Sequence, residues 1–436
     1  MKVLVVLSVS PYPKNIGKRI MLGGICDYLK QSSRVTSICI ASFVDESTAG
    51  IDHTVLLRRP SAIRKVFNAM WHSMLRETKS LQESFFWSPV ASKQLASLIR
   101  HYQPHLILYD TVRTGQYSQK GLESPSCTKL IYMDDLFSLR YEKMLVAMEE
   151  HPHSGIDALG NFASNVPGLV LSFYKHLAPL RKWLLRLERR LVAASENRAP
   201  AQFDRALLVS SAEQLVLVRR TSADNIFVLP PRLDTPGRAW RRWNGQPTFV
   251  FVGSLTLAHN TVSLELFLMA NMRRLIELIP NVMISVVGRG ARKELVDLAG
   301  EYPEHITLHG YVDDLDEVLS SACAMVSPLV FGSGVKLKVI DSLRCGTPLI
   351  TTAVGAEGIE VAESVGVIVY ENVENFPEAM AAMLDPVLNA TASEANTLLY
   401  RKHYSLAAVD QVYEDVLFEN NSLCAETKLS GSQNAA

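Results

Sequence analysis

A glycine-rich stretch in the second half of the chain combines residue types that suit a phosphate ligand. Residues 331–348 read FGSGVKLKVIDSLRCGTP, in which glycines precede apolar residues at helical spacing and a Gly and a Pro close the run. A loop leading into a helix presents unpaired backbone N–H groups and a partial positive charge, and glycine lets an anion approach closely. Lys338 and Asp341 are three residues apart and share one side of this helix. A cation beside a phosphate and a carboxylate beside ribose hydroxyls would form a nucleotide-diphosphate site, although a solvated Lys and Asp at such a helix start are equally common.

The elements around this stretch predict a parallel sheet whose loops share one edge. Apolar runs that suit buried strands occupy residues 249–252, 282–287, 305–308, 323–327 and 349–352. Helices are predicted at 261–277 and 403–419, and the polar residues 420–436 are predicted to be disordered. The loops after the strands carry Gly253, Ser254, Gly288, Arg289, Gly290, Val312, Asp313, Gly332 and Gly334. Because such loops open on one edge of a parallel sheet, this edge is the predicted nucleotide crevice.

The first half of the chain predicts a second parallel sheet. Residues 2–9 form an apolar run, residues 10–18 form a turn-rich loop, and a helix at 19–29 leads to a strand at 35–41, which together make a βαβ unit. Further strands are predicted at 106–109, 129–133, 205–209 and 226–229, with a linker at 232–245. Gly17 lies in the first loop, where it either borders the site or serves as a turn glycine.

Carboxylates follow two of these strands. Asp110 has Arg113 nearby, and Asp134 and Asp135 have Arg140 nearby. One of these carboxylates could deprotonate an acceptor or orient a sugar hydroxyl. Equally, Asp135 could cap the next helix and Asp110 could pair with Arg113.

Two segments are basic and rich in apolar or aromatic residues. Residues 58–87 contain Trp, Phe, Arg and Lys, and residues 181–198 form a basic amphipathic helix. The first segment is interpreted first as a solvated helical face or a lid, with contact to a lipid-linked or glycan acceptor as the alternative. The second is interpreted first as a solvated face with Glu188 and Glu196 paired along it, with adsorption to anionic lipid as the alternative.

Bulk properties restrict the class of protein. A length of 436 residues favours two domains, and a net charge of zero with a pI near 7.2 gives no case for nucleic acid binding. Six cysteines without CxxC spacing predict reduced thiols and no zinc site, hence a cytoplasmic protein. Residues 3–9 are too short for a signal peptide, and no apolar run is long enough to span a bilayer, so membrane contact is expected only peripherally, at the inner surface.

Several motifs resemble a known family. They are GSL at 253–255, VVGRG at 286–290, HGYVDDL at 309–315 and PLVFGSGVKLKVIDSLRCGTPLITTAVGAEGIE at 328–360. SPYPKNIGKR, MDDLFSLRYEKM and LVSSAEQ in the first half add to the likeness. The chain resembles retaining glycosyltransferases of family 4.

That resemblance implies an α/β GT-B fold, in which two Rossmann-like domains with parallel sheets face a central cleft. Residues 1–235 would form the acceptor-side domain and residues 236–400 the nucleotide-sugar-binding domain. A helix at 401–420 would pack back on the first domain, and 421–436 would form a disordered tail.

The resemblance also implies roles for individual residues. Lys338 would contact the donor diphosphate and Asp341 the ribose. Gly332, Ser333 and Gly334 would lie against the donor sugar and phosphates, Val312 and Asp313 would flank the base, and Gly17 would face the phosphate from the other domain. Gly253, Ser254, Gly288, Arg289 and Lys336 complete the expected donor site, and Arg113, Asp135 and Arg140 the acceptor site. Lys338, Asp110 and Asp134 are the catalytic candidates.

Two departures from the family pattern stand out. Ser333 and Asp341 occupy the positions where the family often has two glutamates. Ser254, followed by His259 and Asn260, stands where an Arg and a Lys often follow the first strand. We therefore expect Lys336, Lys338 and Arg289 to supply most of the positive charge toward the diphosphate.

The expected function is retaining transfer of a sugar from a nucleotide-diphosphate sugar to a glycan or lipid-linked acceptor in cell-surface polysaccharide synthesis, without a metal or a separate cofactor. A sugar-nucleotide epimerase is one alternative, but no carboxylate and histidine set for proton transfer is evident. A catalytically silent nucleotide-sugar-binding subunit of a synthesis complex is another, which the Ser333 departure keeps open. A dinucleotide oxidoreductase is disfavoured, because Val252-Gly253-Ser254 lacks GxGxxG spacing.

Overall fold

The computed structural model describes most of the chain. It covers residues 1–14, 16–44, 53–119, 121, 124, 126–150, 178–233, 241–332, 334–361 and 364–418. The predicted tail at 421–436, half of the predicted linker (residues 234–240) and the candidate Ser333 lie outside these residues.

The first half folds around a seven-stranded parallel sheet of order β3-β2-β1-β4-β5-β6-β7. Its strands are β1 Lys2–Leu7, β2 Ser37–Ser42, β3 His53–Leu56, β4 Leu106–Asp110, β5 Thr128–Asp134, β6 Arg205–Leu208 and β7 Ile226–Val228. The helices are α1 Gly17–Gln31, α2 Ala62–Asn68, α3 Leu81–Phe86, α4 Pro89–Tyr102, α5 Thr111–Gly115, α6 Phe137–Glu150, α7 Ala178–Gln202 and α8 Ser211–Thr221. A π-helical segment, Ala69–Leu75, continues α2.

The central strand β1 shows why the sheet forms here. Residues Val3–Leu7 are at most 1 % exposed, since their side chains alternate between cores on the two faces of the sheet. A continuous apolar run is therefore required, and β-branched valines suit a pleated backbone.

The second half folds around a six-stranded parallel sheet of order β10-β9-β8-β11-β12-β13. Its strands are β8 Thr248–Val252, β9 Met283–Val287, β10 Ile306–Gly310, β11 Ala324–Ser327, β12 Leu349–Thr352 and β13 Val367–Tyr370. The helices are α9 Ala258–Leu278, α10 Lys293–Glu301, α11 Leu315–Ser321, α12 Leu337–Arg344, α13 Phe376–Ala382 and α14 Pro386–His403, with a 3₁₀ turn at Val373–Asn375.

The last described helix, α15 Leu406–Phe418, returns to the first domain. Val409 and Tyr413 are buried in its core, and the Tyr413 hydroxyl donates to the Pro230 carbonyl at 3.1 Å. Arg232, itself 3 % exposed, pairs with Asp410 at 2.6 Å. The chain thus crosses between domains twice, which ties the two units together.

Several predicted boundaries were wrong. The predicted helix at 19–29 begins two residues earlier, at Gly17. The predicted final helix at 403–419 begins three residues later, at Leu406, because His403 ends the preceding helix α14. Ser405 Oγ accepts from the Ala408 N–H, so a hydroxyl cap starts α15.

The predicted pairing along α7 was also wrong. Glu188 and Glu196 are both buried rather than solvated. Glu188 accepts from the backbone N–H groups of Leu81 and Gln82, and Glu196 accepts from Ser138. Each carboxylate caps the N-terminus of another helix, α3 or α6, and burial raises the pKa of each to about 7.

Candidate active site

The loop that precedes α12 is held by one lysine. Gly334 has a φ of 73°, a conformation that favours glycine, and the Lys336 ammonium donates to its carbonyl at 2.6 Å. Lys336 is 8 % exposed, and burial, opposed by Glu357, lowers its pKa to about 8. The loop is therefore wrapped around a cation immediately before the first turn of α12, where backbone N–H groups also favour an anion.

Lys338 lies in this first turn and contacts residues of α9 and β8. Its ammonium donates to Asn260 Oδ1 at 3.0 Å and lies 4.6 Å from the centre of the Phe251 ring. Burial, and then the nearby Lys336, lower the Lys338 pKa to about 7. Two neighbouring ammonium groups in a partly desolvated site would attract a diphosphate strongly.

Asn260 is a site residue that sequence reasoning did not assign. It is 4 % exposed, and its Nδ2 donates to the Ser254 carbonyl at 2.9 Å while its Oδ1 receives Lys338. The asparagine thus positions the lysine against the loop after β8. The only available signal was its place in GSLTLAHN, where the family often has a basic residue.

His259 lies beside the same lysines. A Cβ on Gly332 would be 3.9 Å from the His259 ring, so the imidazole borders the glycine loop. Burial, and then Lys338, Lys336 and Arg140, lower the His259 pKa to about 3. The ring is therefore neutral at physiological pH and offers a hydrogen-bonding group rather than a charge.

Asp341 faces an arginine on its own helix. The Nη2 atom of the buried Arg344 lies 3.5 Å from Asp341 Oδ1. Arg344 also donates two hydrogen bonds to the Asp316 carboxylate, one of them from Nη1 to Oδ2 at 2.6 Å. Burial raises the Asp341 pKa to about 6, although Arg344 opposes the shift. The carboxylate is consequently ionised at neutral pH and available to a ribose hydroxyl.

The loops after β8 and β9 pack too closely for side chains. Gly288 has a φ of 158°, and a Cβ there would lie 1.9 Å from the Gly253 carbonyl oxygen. Ser254 Oγ and Thr256 Oγ1 are 2.8 Å apart beside this contact. The glycines let two backbones meet at the predicted sheet edge.

We expect Gly288→Ala to destabilise the second domain by about 3 kcal/mol, because its Cβ overlaps backbone that has no room to yield. In a domain of this size, a change of that magnitude lowers the melting temperature by roughly 6–12 °C. Gly300→Ala is the matched control, since it lies within α10 with nothing inside 4 Å of its Cβ, and it should stabilise slightly. Calorimetry that finds equal melting temperatures for the two variants would contradict this packing.

Arg289 and the predicted base-flanking residues Val312 and Asp313 lie at or near the protein surface. Arg289 is exposed and stacks on Tyr311, with its guanidinium 4.4 Å from the ring centre. Asp313 is also exposed, and Val312 is partly buried against the core of the second domain. Arg289 is thus not packed among the ammonium groups of α12.

The first domain contributes the carboxylates at the end of β5. Asp134 has a φ of 67°, rare for a residue other than glycine, and accepts from the Tyr132 hydroxyl at 2.9 Å. Burial raises its pKa, although the nearby Lys18 opposes the shift. A carboxylate in a constrained conformation with raised basicity suits proton abstraction.

Asp135 faces the glycine loop of the other domain. It forms an ion pair with Arg140, and a Cβ on Gly334 would be 3.4 Å from its Oδ2. At the start of the next helix, Glu213 accepts from the Leu136 N–H and Glu196 accepts from the Ser138 N–H. Predicted donor and acceptor residues therefore meet across the cleft.

Asp110 is more enclosed than Asp134. It is 1 % exposed and accepts from the Ser8 N–H at 3.0 Å and pairs with Lys18 at 2.9 Å. The alternative pairing with Arg113 was wrong, because Arg113 instead donates to Gln82 at 2.8 Å and lies against the Phe137 ring. Asp110 is therefore buried behind the cleft wall, whereas Arg113 is only partly buried.

Gly17 begins α1 and faces the second domain, since a Cβ on it would be 4.0 Å from Leu337 Cδ1. Ile20 packs in the same cluster as Val335 and Leu337. The start of α1 is therefore directly opposite the start of α12.

Two glutamates near this junction were not predicted. Glu357 pairs with Lys143 across the domains at 2.5 Å, and Glu213 accepts from the Leu136 N–H at 3.3 Å. Burial, and then Asp135 and Glu357, raise the Glu213 pKa well above its usual range. Their motifs, GAEGIE and SSAEQ, carried the resemblance but showed no pairing between distant segments.

Within the described ranges, no cluster of His, Cys, Asp and Glu could hold a metal ion.

Comparisons with known proteins agree with this geometry. Residues 246–386, which contain β8 to α13 and the loop before α12, match the family model described as Glycosyl transferases group 1. A stretch of 157 residues is 24 % identical to a phosphatidyl-myo-inositol mannosyltransferase of Mycolicibacterium smegmatis. The matched stretch covers 34 % of this chain and 41 % of that protein, so the chain spans less than half of its length.

Solved structures match over nearly the whole chain. Sucrose-phosphate synthase from Thermosynechococcus elongatus superposes with a TM-score of 0.62 at 16 % identity, over 95 % of this chain and 98 % of that one. HepE of Anabaena, in complex with UDP, superposes with a TM-score of 0.59 at 12 % identity, over 96 % and 99 %. The fold prediction is confirmed: two parallel-sheet α/β domains form a GT-B architecture.

Proposed function

We propose that this protein is a glycosyltransferase that uses a nucleotide-diphosphate sugar and transfers the sugar with retention to a glycan or lipid-linked acceptor in polysaccharide synthesis. The observation that carries the proposal is Lys338, which Asn260 holds at the start of α12, opposite the carboxylate edge of the other domain. The family match over 246–386 and the neighbour solved with UDP support it.

Charge stabilisation explains how this site would promote bond breaking. As the bond from the sugar to the diphosphate breaks, negative charge develops on the leaving oxygen. Lys336, Lys338 and the N–H groups of α12 are already oriented there, so little reorganisation is needed. This set of groups supplies the stabilisation without a metal ion. Asp341 would accept a hydrogen bond from the ribose, which fixes the nucleotide end of the donor.

The acceptor would enter from the first domain. Asp134 is the better placed of the two candidate bases, because Asp110 is enclosed by Ser8 and Lys18. Arg140 is held by Asp135, which borders the glycine loop, so this pair would contact the acceptor near the donor sugar. The Lys143–Glu357 ion pair would hold the domains together around both substrates and exclude water.

Incubation of the purified protein with a panel of sugar nucleotides tests this proposal. Slow release of free sugar and nucleoside diphosphate from one donor, accelerated by an extract containing acceptors, is the expected result. Isomerised donor would identify an epimerase. Binding seen as thermal stabilisation without turnover would identify a silent subunit, and at one hundred times the dissociation constant that stabilisation is about 2.7 kcal/mol.

The donor site predicts a narrow pH optimum. Asp341, with a pKa raised to about 6, must be ionised, and Lys338, with a pKa lowered to about 7, must be protonated. We therefore expect kcat/KM for the donor to fall below pH 6 and above pH 7, approaching tenfold per pH unit on each side. Lys338→Arg should retain its charge and move the alkaline limb upward. An alkaline limb that is unchanged in Lys338→Arg would show that another group causes it.

A further inference from the structure

The helical segment Ala62–Leu75 exposes its apolar side. Seven residues on it, which we name the apolar ridge, are between 38 % and 84 % exposed: Ile63, Val66, Phe67, Met70, Trp71, Met74 and Leu75. Single exposed apolar residues are ordinary, whereas a contiguous set along one element marks an interaction surface.

Hydrogen bonds on the opposite side fix this orientation. Asn68 is buried, and its Nδ2 donates to the carbonyls of Ser84 at 3.0 Å and Trp87 at 2.9 Å. Ser73 is also buried, with its Oγ 2.8 Å from Ser84 Oγ. Rolling the helix to bury the ridge would break these bonds inside the protein, so the polar side is anchored and the apolar side faces outward.

Positive charge surrounds the ridge although the whole chain is neutral. Residues 58–79 contain six Lys and Arg and a single acid, Glu77, which pairs with Arg190 of α7 at 2.6 Å. Arg64 and Arg76 are exposed and lie over ridge rings, the Arg76 guanidinium 4.5 Å from the centre of Trp71. The Arg190–Glu77 pair places α7 beside the ridge segment, and Trp183 and Arg186 are exposed on the same side of α7 as Arg190. Arg186 pairs with Glu149 at 3.3 Å.

We propose that the apolar ridge docks on an anionic lipid bilayer, with its side chains in the boundary between headgroups and acyl chains. Apolar and aromatic residues enter that boundary, and the surrounding cations pair with anionic headgroups. A second copy of the chain is a poorer occupant, because a two-fold contact would place these arginines against their own counterparts. Within the described residues no helix has the length and apolarity to cross a bilayer, so the docking is peripheral.

The position of the ridge orients the proposed acceptor site. The ridge is anchored to α3, and Gln82 of α3 accepts from Arg113 of α5, which follows directly from the end of β4. Docking would therefore hold the carboxylate edge of the first domain one helix layer from the lipid. This consequence rests on the proposed function and favours a lipid-linked acceptor, whereas the docking itself does not depend on transfer activity.

Cosedimentation of the full chain with vesicles tests the docking. We expect binding to phosphatidylcholine vesicles that contain about 30 % phosphatidylglycerol, weaker binding at high salt, and little binding to phosphatidylcholine alone. The double variant Phe67→Ser/Trp71→Ser should bind the anionic vesicles at least tenfold more weakly. The double variant Met269→Ser/Val387→Ser, which removes two exposed apolar residues from the second domain, is the matched control and should bind as the wild type does.

Thermal melting and sedimentation velocity complete the design. If the ridge double variant melts early, Ile63→Ser replaces it, because that side chain is 84 % exposed. Absence of wild-type binding to anionic vesicles, or unchanged binding in the ridge variant, would overturn the proposal. Concentration-dependent self-association that the ridge variant abolishes would assign the surface to a second copy instead. Vesicle binding that is normal in a protein without transferase activity would leave the docking intact and remove only the proposed function.

Discussion

Lys338→Ala is expected to lower kcat/KM for the donor by about hundredfold or more. The ammonium is positioned by Asn260 at 3.0 Å and lies at the start of α12, where a diphosphate would gather negative charge as the sugar leaves. Removing such a charge-assisted contact costs about 2.7–4 kcal/mol in the transition state. Steady-state kinetics with the donor identified in the panel, alongside donor titration by calorimetry, measures both the rate and the affinity.

Two comparisons make this result specific. Lys293→Ala removes an exposed lysine from the first turn of α10 in the same domain and should leave kcat/KM unchanged. Asn260→Ala should reproduce part of the Lys338→Ala loss, because the lysine would keep its charge but lose its anchor. Activity of Lys338→Ala within a few fold of the wild type would remove this lysine from the mechanism.

The local pattern was enough to predict the donor helix. The glycine loop, the period of the apolar residues and the closing Gly346 placed Lys338 and Asp341 on one short helix, as the structure shows. Asn260 could not be assigned in this way, since its contact with Lys338 spans 78 residues and depends on how the start of α9 packs beside α12. The Lys143–Glu357 pair depends on the approach of two domains and is likewise absent from any local pattern.

There are also physical reasons why the sequence did not predict some of the secondary structure. Strand β3 has only four residues, mostly exposed at the edge of the sheet, so its sequence lacks the apolar run that marks the buried strands. The segment Ala62–Leu75 was interpreted as a solvated helical face, which understates its apolar exposure. Its orientation follows from the buried bonds of Asn68 and Ser73, whose partners come from the next helix and the turn after it.

Asp134→Asn is expected to lower kcat by about 10²- to 10⁴-fold while donor affinity stays unchanged. The carboxylate ends β5 with a φ of 67°, and burial raises its pKa, so it is a stronger base than a solvated aspartate. Asparagine keeps the shape and tolerates this backbone conformation, but it cannot accept a proton from the acceptor hydroxyl. Single-turnover transfer with saturating donor and acceptor isolates this step.

Asp110→Asn provides the contrast, because Asp110 lies behind the cleft wall and is bound by Ser8 and Lys18. Neutralising it leaves the Lys18 ammonium without its buried partner, so the expected effect is a lower melting temperature with a much smaller change in kcat for the protein that remains folded. If instead Asp134→Asn transfers sugar at the wild-type rate, the acceptor proton must go to a phosphate oxygen of the donor. The contribution of the first domain would then be to position the acceptor beside Gly334 through Asp135 and Arg140.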